Sequence, residues 1–414
     1  MRLNLYSLIF LLNAYISGLL IPILSLLFID KGASLSNLSL IMGMYAVTVI
    51  IFELPTGIMA DMIGRKKTFC ISLIVSLISS FVILFGNGIV AMCIGIVIYG
   101  LSRAISSGSF EAQFIDSYID LFGKDKLHKV TTRLSVLEAL GLAAGALTGG
   151  IFPEVSIKYF ASIGIYDLNL IVKIFLTVIV TTLAFAFIKE TTVMEKKKRV
   201  SFKQHIKNSS SLIIKSKIII YIFISVFSTG FFLSSLETYW QPHFISLMPD
   251  DNLIVLLGVM AFLYLAAATT GNIVSSKIIN KLDVKKMYVL LRLVLAFSLI
   301  VMALQLNVVS FIIFYSIIYF TLGMANIPES VLLNREIPNE LRASVLSVNS
   351  LIVQAGGLMG SLVNSIAINY TSIPGLWVIA ACLILITIVV IFKKLMNSQT
   401  NINNEILVAG EFEE

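Results

Sequence analysis

Four ionisable side chains stand inside long apolar stretches of the first half of the chain. They are Glu53, Arg103, Glu111 and Glu138. Burying a charge in an apolar segment is costly, so each is a candidate for handling a proton or an ion. Glu111 follows Arg103 by about two helical turns, which places both on nearly the same helix face. Two interpretations are open. The four groups neutralise one another in a structural network, or one buried carboxyl carries a proton. For each residue taken singly, we favour the structural network.

A second group combines an acid with aromatic rings. Glu237, Tyr239 and Trp240 fall within one short stretch. A carboxylate beside aromatic faces can bind a cation by charge and by cation–π attraction. Tyr and Trp also collect at the outer membrane interface, and we favour that alternative slightly. Asn13, in the first apolar segment, is a further candidate for a substrate contact.

Two other basic residues also lie inside apolar segments. Lys173 is near the outer end of its segment, so we expect its ammonium to snorkel to the membrane surface. Arg292 is a further intramembrane charge and therefore a functional candidate.

Apolar blocks must position these residues. Hydrophobic residues make up 58% of the chain and charged residues 13%, against ~25% charged in a typical soluble protein. The blocks have about 20 residues or more, the length that a helix needs to cross a ~30 Å hydrocarbon core. Twelve such segments are present: 5–29, 35–60, 68–86, 89–118, 130–152, 168–188, 218–246, 253–279, 287–306, 308–333, 345–370 and 373–392. The sequence therefore predicts an all-α membrane protein of twelve transmembrane helices.

Basic residues fix the orientation of these segments. If the N-terminus is cytoplasmic, nearly all the loop Lys and Arg residues face the cytoplasm, and the outer loops carry only Lys31 and Lys158. Cytoplasmic loops carry the excess of Lys and Arg in membrane proteins. We therefore expect both termini to be cytoplasmic. The net charge of +7 fits contact with anionic membrane lipids and requires no nucleic-acid partner.

The chain also repeats itself. Arg133–Leu137 and Arg342–Leu346 are similar and open the fifth and eleventh segments, and Glu111 in the fourth segment corresponds to Glu329 in the tenth. Ordered matches of this kind indicate an internal duplication, which predicts two pseudo-symmetric six-helix bundles with a substrate path between them. The predicted parts are the bundles at 1–188 and 218–394, a basic cytoplasmic linker at 189–217 and a polar, disordered tail at 395–414.

Nothing in the sequence indicates an enzyme. The three cysteines, Cys70, Cys93 and Cys382, are far apart in apolar segments and fit neither a disulfide framework nor a metal site. The sequence contains no glycine-rich phosphate loop of the kind that ATP-driven pumps use. We therefore expect no enzyme activity, no cofactor and no metal.

A glycine-rich, basic motif connects the second and third segments. Its defining residues are Gly57, Asp61, Gly64, Arg65 and Lys66. The motif resembles the loop signature of the major facilitator superfamily at every position except Met62, where the family usually has a basic residue. The glycines permit close helix approach and a tight turn. The resemblance implies a gating cluster in which Asp61 and Asp116, at the inner end of the fourth segment, meet the start of the eleventh segment. A basic loop that only sets the membrane topology is the alternative, and we favour gating.

The fifth segment carries a run of glycines. They are Gly141, Gly145, Gly149 and Gly150. Small residues at four-residue spacing allow helices to pack tightly. The run also resembles a motif of the superfamily's drug antiporters, although Ala146 stands where the family usually has proline. Helix packing and an antiporter signature therefore both stay open.

The resemblance also implies an activity. Stretches 52–57, 107–112 and 337–343 resemble the superfamily's bacterial drug-efflux branch. This implies a monomeric transporter in a bacterial inner membrane that exports amphipathic drugs or a secreted metabolite in exchange for protons. Nutrient import and lipid or peptide flipping stay open, because a fold does not fix a function. A non-transporting sensor is disfavoured because the linker and the tail are too short for an output domain.

Overall fold

The computed structural model describes residues 2–107, 109–122, 127–160, 162–188, 212–214, 216–248, 254–338 and 341–397. The side chains of Asp61 and Asp116 lie outside the described part of the structure. The predicted linker and tail fall largely outside these ranges, so the expectations placed on them stay predictions.

Every regular element within the described ranges is a helix. The helices are α1 (Arg2–Gly18), α2 (Leu24–Asp30), α3 (Leu35–Ile63), α4 (Arg65–Phe85), α5 (Gly88–Ser106), α6 (Phe110–Phe122), α7 (Leu127–Tyr159), α8 (Asp167–Phe187), α9 (Lys217–Ser246), α10 (Val255–Ile278), α11 (Val284–Ala303), α12 (Val308–Arg335), α13 (Arg342–Ala367) and α14 (Ile373–Asn397), with a short 3₁₀ turn at Ile279–Lys281. Among the described residues, eleven helical segments are long and apolar enough to cross a membrane.

Polar caps and a glycine set several helix ends. The Ser34 side chain accepts a hydrogen bond from the Asn37 amide at the start of α3 (3.2 Å). Asp283 accepts one from the Lys286 amide at the start of α11 (2.9 Å). These side chains satisfy amides that have no partner within the helix. At the other end of α3, Gly64 has a φ of 101°, which glycine adopts without strain.

The predicted first span is two helices rather than one. α1 has 17 residues and α2 has 7, and a turn at residues 19–23 separates them. Pro22 explains the division, because proline has no amide proton with which to continue the helix. The Gly18 carbonyl accepts instead from the Ile21 amide, at 3.1 Å.

Side chains from two other helices satisfy carbonyls at this turn. Asn169 of α8 donates to the Leu19 carbonyl, and Gln241 of α9 donates to the Ile21 carbonyl, both at 3.0 Å. A backbone group inside a membrane has no water to bond to, so the protein must supply its partner. The two amides therefore hold the break between α1 and α2 in place.

Replacing one of these amides should destabilise the protein. We expect Gln241→Leu to lower the thermal unfolding midpoint, because an unsatisfied buried carbonyl costs about 1–3 kcal/mol. Gln305→Leu is the matched control, since Gln305 donates to the Val301 carbonyl at an exposed position. Scanning fluorimetry in detergent measures both midpoints, and equal midpoints for the two variants would contradict the capping role.

The predicted fourth segment is also divided, into α5 and α6. Ser106, Ser107 and Ser109 lie at the junction. The Ser109 hydroxyl donates to the Ser106 carbonyl at 2.8 Å, and the Ser107 amide donates to the Arg103 carbonyl at 3.0 Å. Serine side chains compete with the backbone for its hydrogen bonds, so a cluster of them ends the helix.

The described residues form two compact units. The first unit contains α1 to α8 together with Glu237–Ala266 and Ser361–Tyr370. The second contains the N-terminal part of α9, the rest of α10, α11, α12, most of α13 and α14. The predicted division into halves at 1–188 and 218–394 stays a prediction.

Candidate functional site

The glycines of the fifth predicted segment lie against other helices. Gly141 and Gly145 of α7 face α1, Gly149 faces Leu19 in the turn after α1, and Gly150 faces α10. A Cβ atom at Gly145 would meet the Tyr15 carbonyl oxygen, and one at Gly150 would meet the Gly258 backbone. Backbone cannot move aside as the end of a side chain can, so these positions need glycine for close packing.

The second unit contains a corresponding arrangement. Gly356 and Gly360 of α13 face α9, and Gly230 of α9 faces the Val353 carbonyl. The fifth and eleventh predicted segments therefore both use glycines four residues apart to approach the first segment of their own half. This correspondence supports the internal duplication.

Adding one methyl group should distinguish a glycine in a tight helix contact from a glycine without such a contact. We expect Gly145→Ala to lower the unfolding midpoint, because overpacking a tight contact costs about 1–3 kcal/mol. Gly57→Ala is the control, since among the described residues nothing lies within 4 Å of a Cβ at Gly57. Alanine favours helix over glycine by ~1 kcal/mol, so Gly57→Ala should hold or raise the midpoint. A loss of stability at both positions would show that the packing argument is wrong.

The predicted gating loop is partly visible. Gly64 makes the tight turn between α3 and α4. Gly57, by contrast, is exposed, and no described atom lies within 4 Å of the position a Cβ would take there, so the described residues show no close helix approach at Gly57. Lys66 donates to the Phe185 carbonyl near the C-terminal end of α8 at 2.8 Å, where carbonyls lack helical partners and attract cations. Arg65 is half-buried. The roles of Asp61 and Asp116 stay predictions.

Three of the four predicted intramembrane charges lie close together. Glu138 is within electrostatic range of both Glu111 and Arg103, and all three residues are exposed. Arg103 is also within range of Tyr45. The fourth, Glu53, has a buried Oε2 atom with no hydrogen-bond partner in the described part of the chain. Two carboxyls and one guanidinium thus share one site, a combination of groups among which a proton can move.

Lys173 does not snorkel to the membrane surface. Its side chain is 1% exposed, and its ammonium lies 4.5 Å from the centre of the Tyr99 ring. In the described part of the structure the Nζ atom has no hydrogen-bond partner. Lys173 and Arg103 line one cavity of about 70 Å³, together with Asn13 and several hydroxyl-bearing residues. The prediction that Lys173 snorkels, made from its position near the end of a segment, is therefore wrong.

The acid and the rings of the Glu237 segment differ in exposure. Tyr239 and Trp240 are 0% and 1% exposed, whereas Glu237 is exposed. The Tyr239 hydroxyl donates to the Leu35 carbonyl at 2.9 Å, so this ring is committed to packing within the first unit. Glu237 is within electrostatic range of Tyr45 of α3 and Tyr264 of α10 instead. The aromatic neighbours of this acid therefore come from other helices.

Hydrogen bonds within the first unit join the predicted outer ends of several helices. The Ser25 hydroxyl of α2 donates to the Thr238 carbonyl of α9 at 2.7 Å. The Ser36 hydroxyl of α3 donates to the Ser365 carbonyl of α13 at 2.6 Å. With the predicted orientation, these bonds fasten segments of both sequence halves together on the outer side.

A buried ion pair in the second unit forms the best-defined polar cluster. Arg292 of α11 is 2% exposed, and its Nη2 atom lies 3.2 Å from the Glu329 carboxylate of α12, which is 20% exposed. The same Nη2 donates to the Ser225 carbonyl and to the Tyr288 hydroxyl, both at 3.1 Å. The Tyr288 hydroxyl lies 3.0 Å from Glu329 and 2.8 Å from the Ser225 hydroxyl. The partly exposed Glu329 carboxylate thus accepts from two donors, Arg292 and Tyr288. Both donors keep their contacts with Ser225 when the carboxylate binds a proton.

The sequence contains a signal for this cluster. Tyr288 precedes Arg292 by one helical turn, so both lie on one face. Glu329 is the repeat counterpart of Glu111. Each half therefore has an acid at the same point of its fourth segment. The described structure shows a close arginine partner for Glu329, a residue for which we predicted no role from the sequence.

The Major Facilitator Superfamily model matches residues 6–361 and 254–407, so the chain belongs to this superfamily. This confirms the family that the loop motif indicated, the all-helical membrane fold and a transporter rather than an enzyme.

Two solved structures have similar folds. The nucleoside transporter NupG is 14% identical with a TM-score of 0.79, covering 96% of this chain and 100% of that one. A bacterial homologue of the human lysosomal transporter Spinster is 12% identical with a TM-score of 0.68, covering 94% and 93%.

Two curated relatives match parts of the sequence. The uncharacterised transporter YxaM of Bacillus subtilis is 25% identical over 225 residues, 54% of each chain. The quinolone resistance protein NorA of Staphylococcus aureus is 29% identical over 147 residues, 35% of this chain and 37% of NorA. The chain thus matches about half the length of the first relative and about a third of the second.

Proposed function

We propose that this protein is a proton-driven exporter of amphipathic compounds in a bacterial cell membrane, with both termini in the cytoplasm and a single chain as the working unit. The observation that carries the proposal is the Arg292–Glu329 ion pair with its Tyr288 and Ser225 partners. A carrier coupled to protons needs a carboxyl that alternates between a charged, paired state and a neutral one. Similarity to a quinolone resistance protein supports export of drug-like compounds.

The chemistry of the cluster supports such alternation. While Glu329 is ionised, it accepts hydrogen bonds from Arg292 and Tyr288 and balances the buried guanidinium. When Glu329 takes up a proton, the ion pair is lost, and the Ser225 carbonyl and the Tyr288 hydroxyl still bind Arg292. Protonation therefore changes the attraction between α11 and α12 without leaving the arginine bare, which would be very costly.

The outer contacts of the first unit support alternating access. Bonds such as Ser25 to Thr238 and Ser36 to Ser365 are hydroxyl-to-carbonyl bonds. A hydrogen bond of this type contributes only about 0.5–1.5 kcal/mol. A few such bonds can close the outer side and still break within a transport cycle.

Everted membrane vesicles test the proposal. When respiration acidifies their lumen, vesicles containing the protein should accumulate a fluorescent amphipathic dye and release it when the pH gradient is collapsed. Vesicles from cells without the protein provide the baseline. If no dye or drug in a broad panel accumulates in a gradient-dependent way, and intact cells instead import a nutrient, export is wrong and import on the same fold is correct.

A further inference from the structure

The least compensated charge in the described part of the first unit is the ammonium of Lys173. It is 1% exposed and has no hydrogen-bond partner there. The face of the Tyr99 ring, 4.5 Å away, is its nearest described compensation. A cation–π contact offsets only a small part of the cost of burying a charge that has no partner. Among the described residues, no anion therefore balances the charge of Lys173.

The cavity beside Lys173 has room for such a partner. Its volume of about 70 Å³ is well above the ~10–15 Å³ that one water molecule needs. It is too small for a whole drug-sized molecule, which occupies a pocket of roughly 300 Å³ or more. A compact group such as a carboxylate fits this space.

The lining of the cavity also favours an anion. Arg103, whose guanidinium is also within electrostatic range of Glu138, contributes a second cationic group. Several of the hydroxyls already donate their protons to backbone carbonyls: Ser72 to Phe69 at 2.7 Å, Ser102 to Ser72 at 2.9 Å and Thr177 to Lys173 at 2.7 Å. These three hydroxyls therefore have no proton left for a ligand, whereas the ammonium of Lys173 does. An ammonium forms short, strong hydrogen bonds to a carboxylate.

We propose that this cavity is an anion subsite, in which Lys173, assisted by Arg103, binds the carboxylate of an amphipathic substrate while the rest of the molecule lies outside it. The substrate part of this inference rests on the proposed export function; the anion site itself does not. A free inorganic anion has the same chemistry and is the alternative occupant.

Binding is tested first, without transport. Purified full-length protein in detergent is heated with sodium benzoate or with benzamide, which share a ring and differ in charge. Benzoate should raise the unfolding midpoint of the natural protein and of Lys158→Met, an exposed control, but not of Lys173→Met. Benzamide should shift none of them. Methionine is close to lysine in size and removes a buried charge, so Lys173→Met should unfold no earlier than the natural protein without ligand. A benzoate shift that persists in Lys173→Met, or an equal benzamide shift, overturns the anion site.

Transport then identifies the source of the anion. Everted vesicles are offered rhodamine B, which has a carboxylate, and its methyl ester, which has none. Lys173→Met should lower the uptake of rhodamine B at least about tenfold, the effect of losing one charged hydrogen bond, and leave uptake of the ester nearly unchanged. Equal loss of both dyes overturns the substrate assignment. So does sodium chloride if, at the same concentration, it reproduces the benzoate shift of the unfolding midpoint, since a free inorganic anion then occupies the site. If neither dye is taken up at all, the export function fails, while the benzoate result still decides the site.

Discussion

Glu329→Gln should uncouple export from the proton gradient. Glutamine has the shape of a protonated glutamic acid and keeps a hydrogen-bonding oxygen, but it cannot lose a proton or pair with Arg292 as an ion. We expect gradient-driven accumulation to fall about 5- to 150-fold, the range of a typical coupling free energy. Exchange of substrate across the membrane without a gradient should continue, because the binding site and the helices remain.

Two measurements on the same vesicles separate coupling from simple damage. Accumulation of a dye driven by the pH gradient reports coupling, and exchange of labelled against unlabelled dye at equal pH reports the carrier itself. Glu154→Gln, at an exposed position of α7, is the matched control and should leave both unchanged. If Glu329→Gln reduces exchange as much as accumulation, the Arg292 cluster is structural. If it reduces neither, the coupling proton is carried elsewhere, and Glu111 and Glu138 are the next candidates.

Much of the fold could be predicted from the sequence because the membrane imposes a simple rule. A helix that crosses hydrocarbon needs about 20 apolar residues, and the helices α3 to α14 lie close to the predicted segments. The break between α1 and α2 followed a different rule. Pro22 is visible in the sequence, but the amides that make the break tolerable, Asn169 and Gln241, come from distant segments. Hydropathy carries no information about such partners.

The side-chain neighbourhoods were less predictable. The position of Lys173 along its segment indicated a route to the membrane surface, but which face of α8 it lies on decides whether it reaches that surface. Tyr239 is two residues after Glu237, which is about 200° around a helix, so the two side chains face nearly opposite ways. That angle was available from the sequence. The approach of Tyr45 and Tyr264 to Glu237 was not, because it depends on how three helices pack.

Glu237→Gln should change selectivity between substrates rather than abolish export. The exposed carboxylate is within electrostatic range of Tyr45 and Tyr264, and an acid beside aromatic rings attracts a cation more than a neutral molecule. We expect export of ethidium, a cation, to fall about tenfold, since a cation–π site contributes up to ~2 kcal/mol. Export of chloramphenicol, which is neutral, should change little.

A second pair of variants distinguishes the rings that take part. Tyr45→Leu should lower ethidium export in the same direction as Glu237→Gln, because it removes an aromatic face near the acid. Trp240→Phe should leave the ratio of ethidium to chloramphenicol export unchanged, because Trp240 is 1% exposed and phenylalanine keeps an aromatic ring against Tyr264 and Phe244. The two drugs report on the same vesicles, so altered expression changes both equally and leaves the ratio alone. An equal loss of both drugs in Glu237→Gln would mean that this acid supports the helix packing and does not select cations.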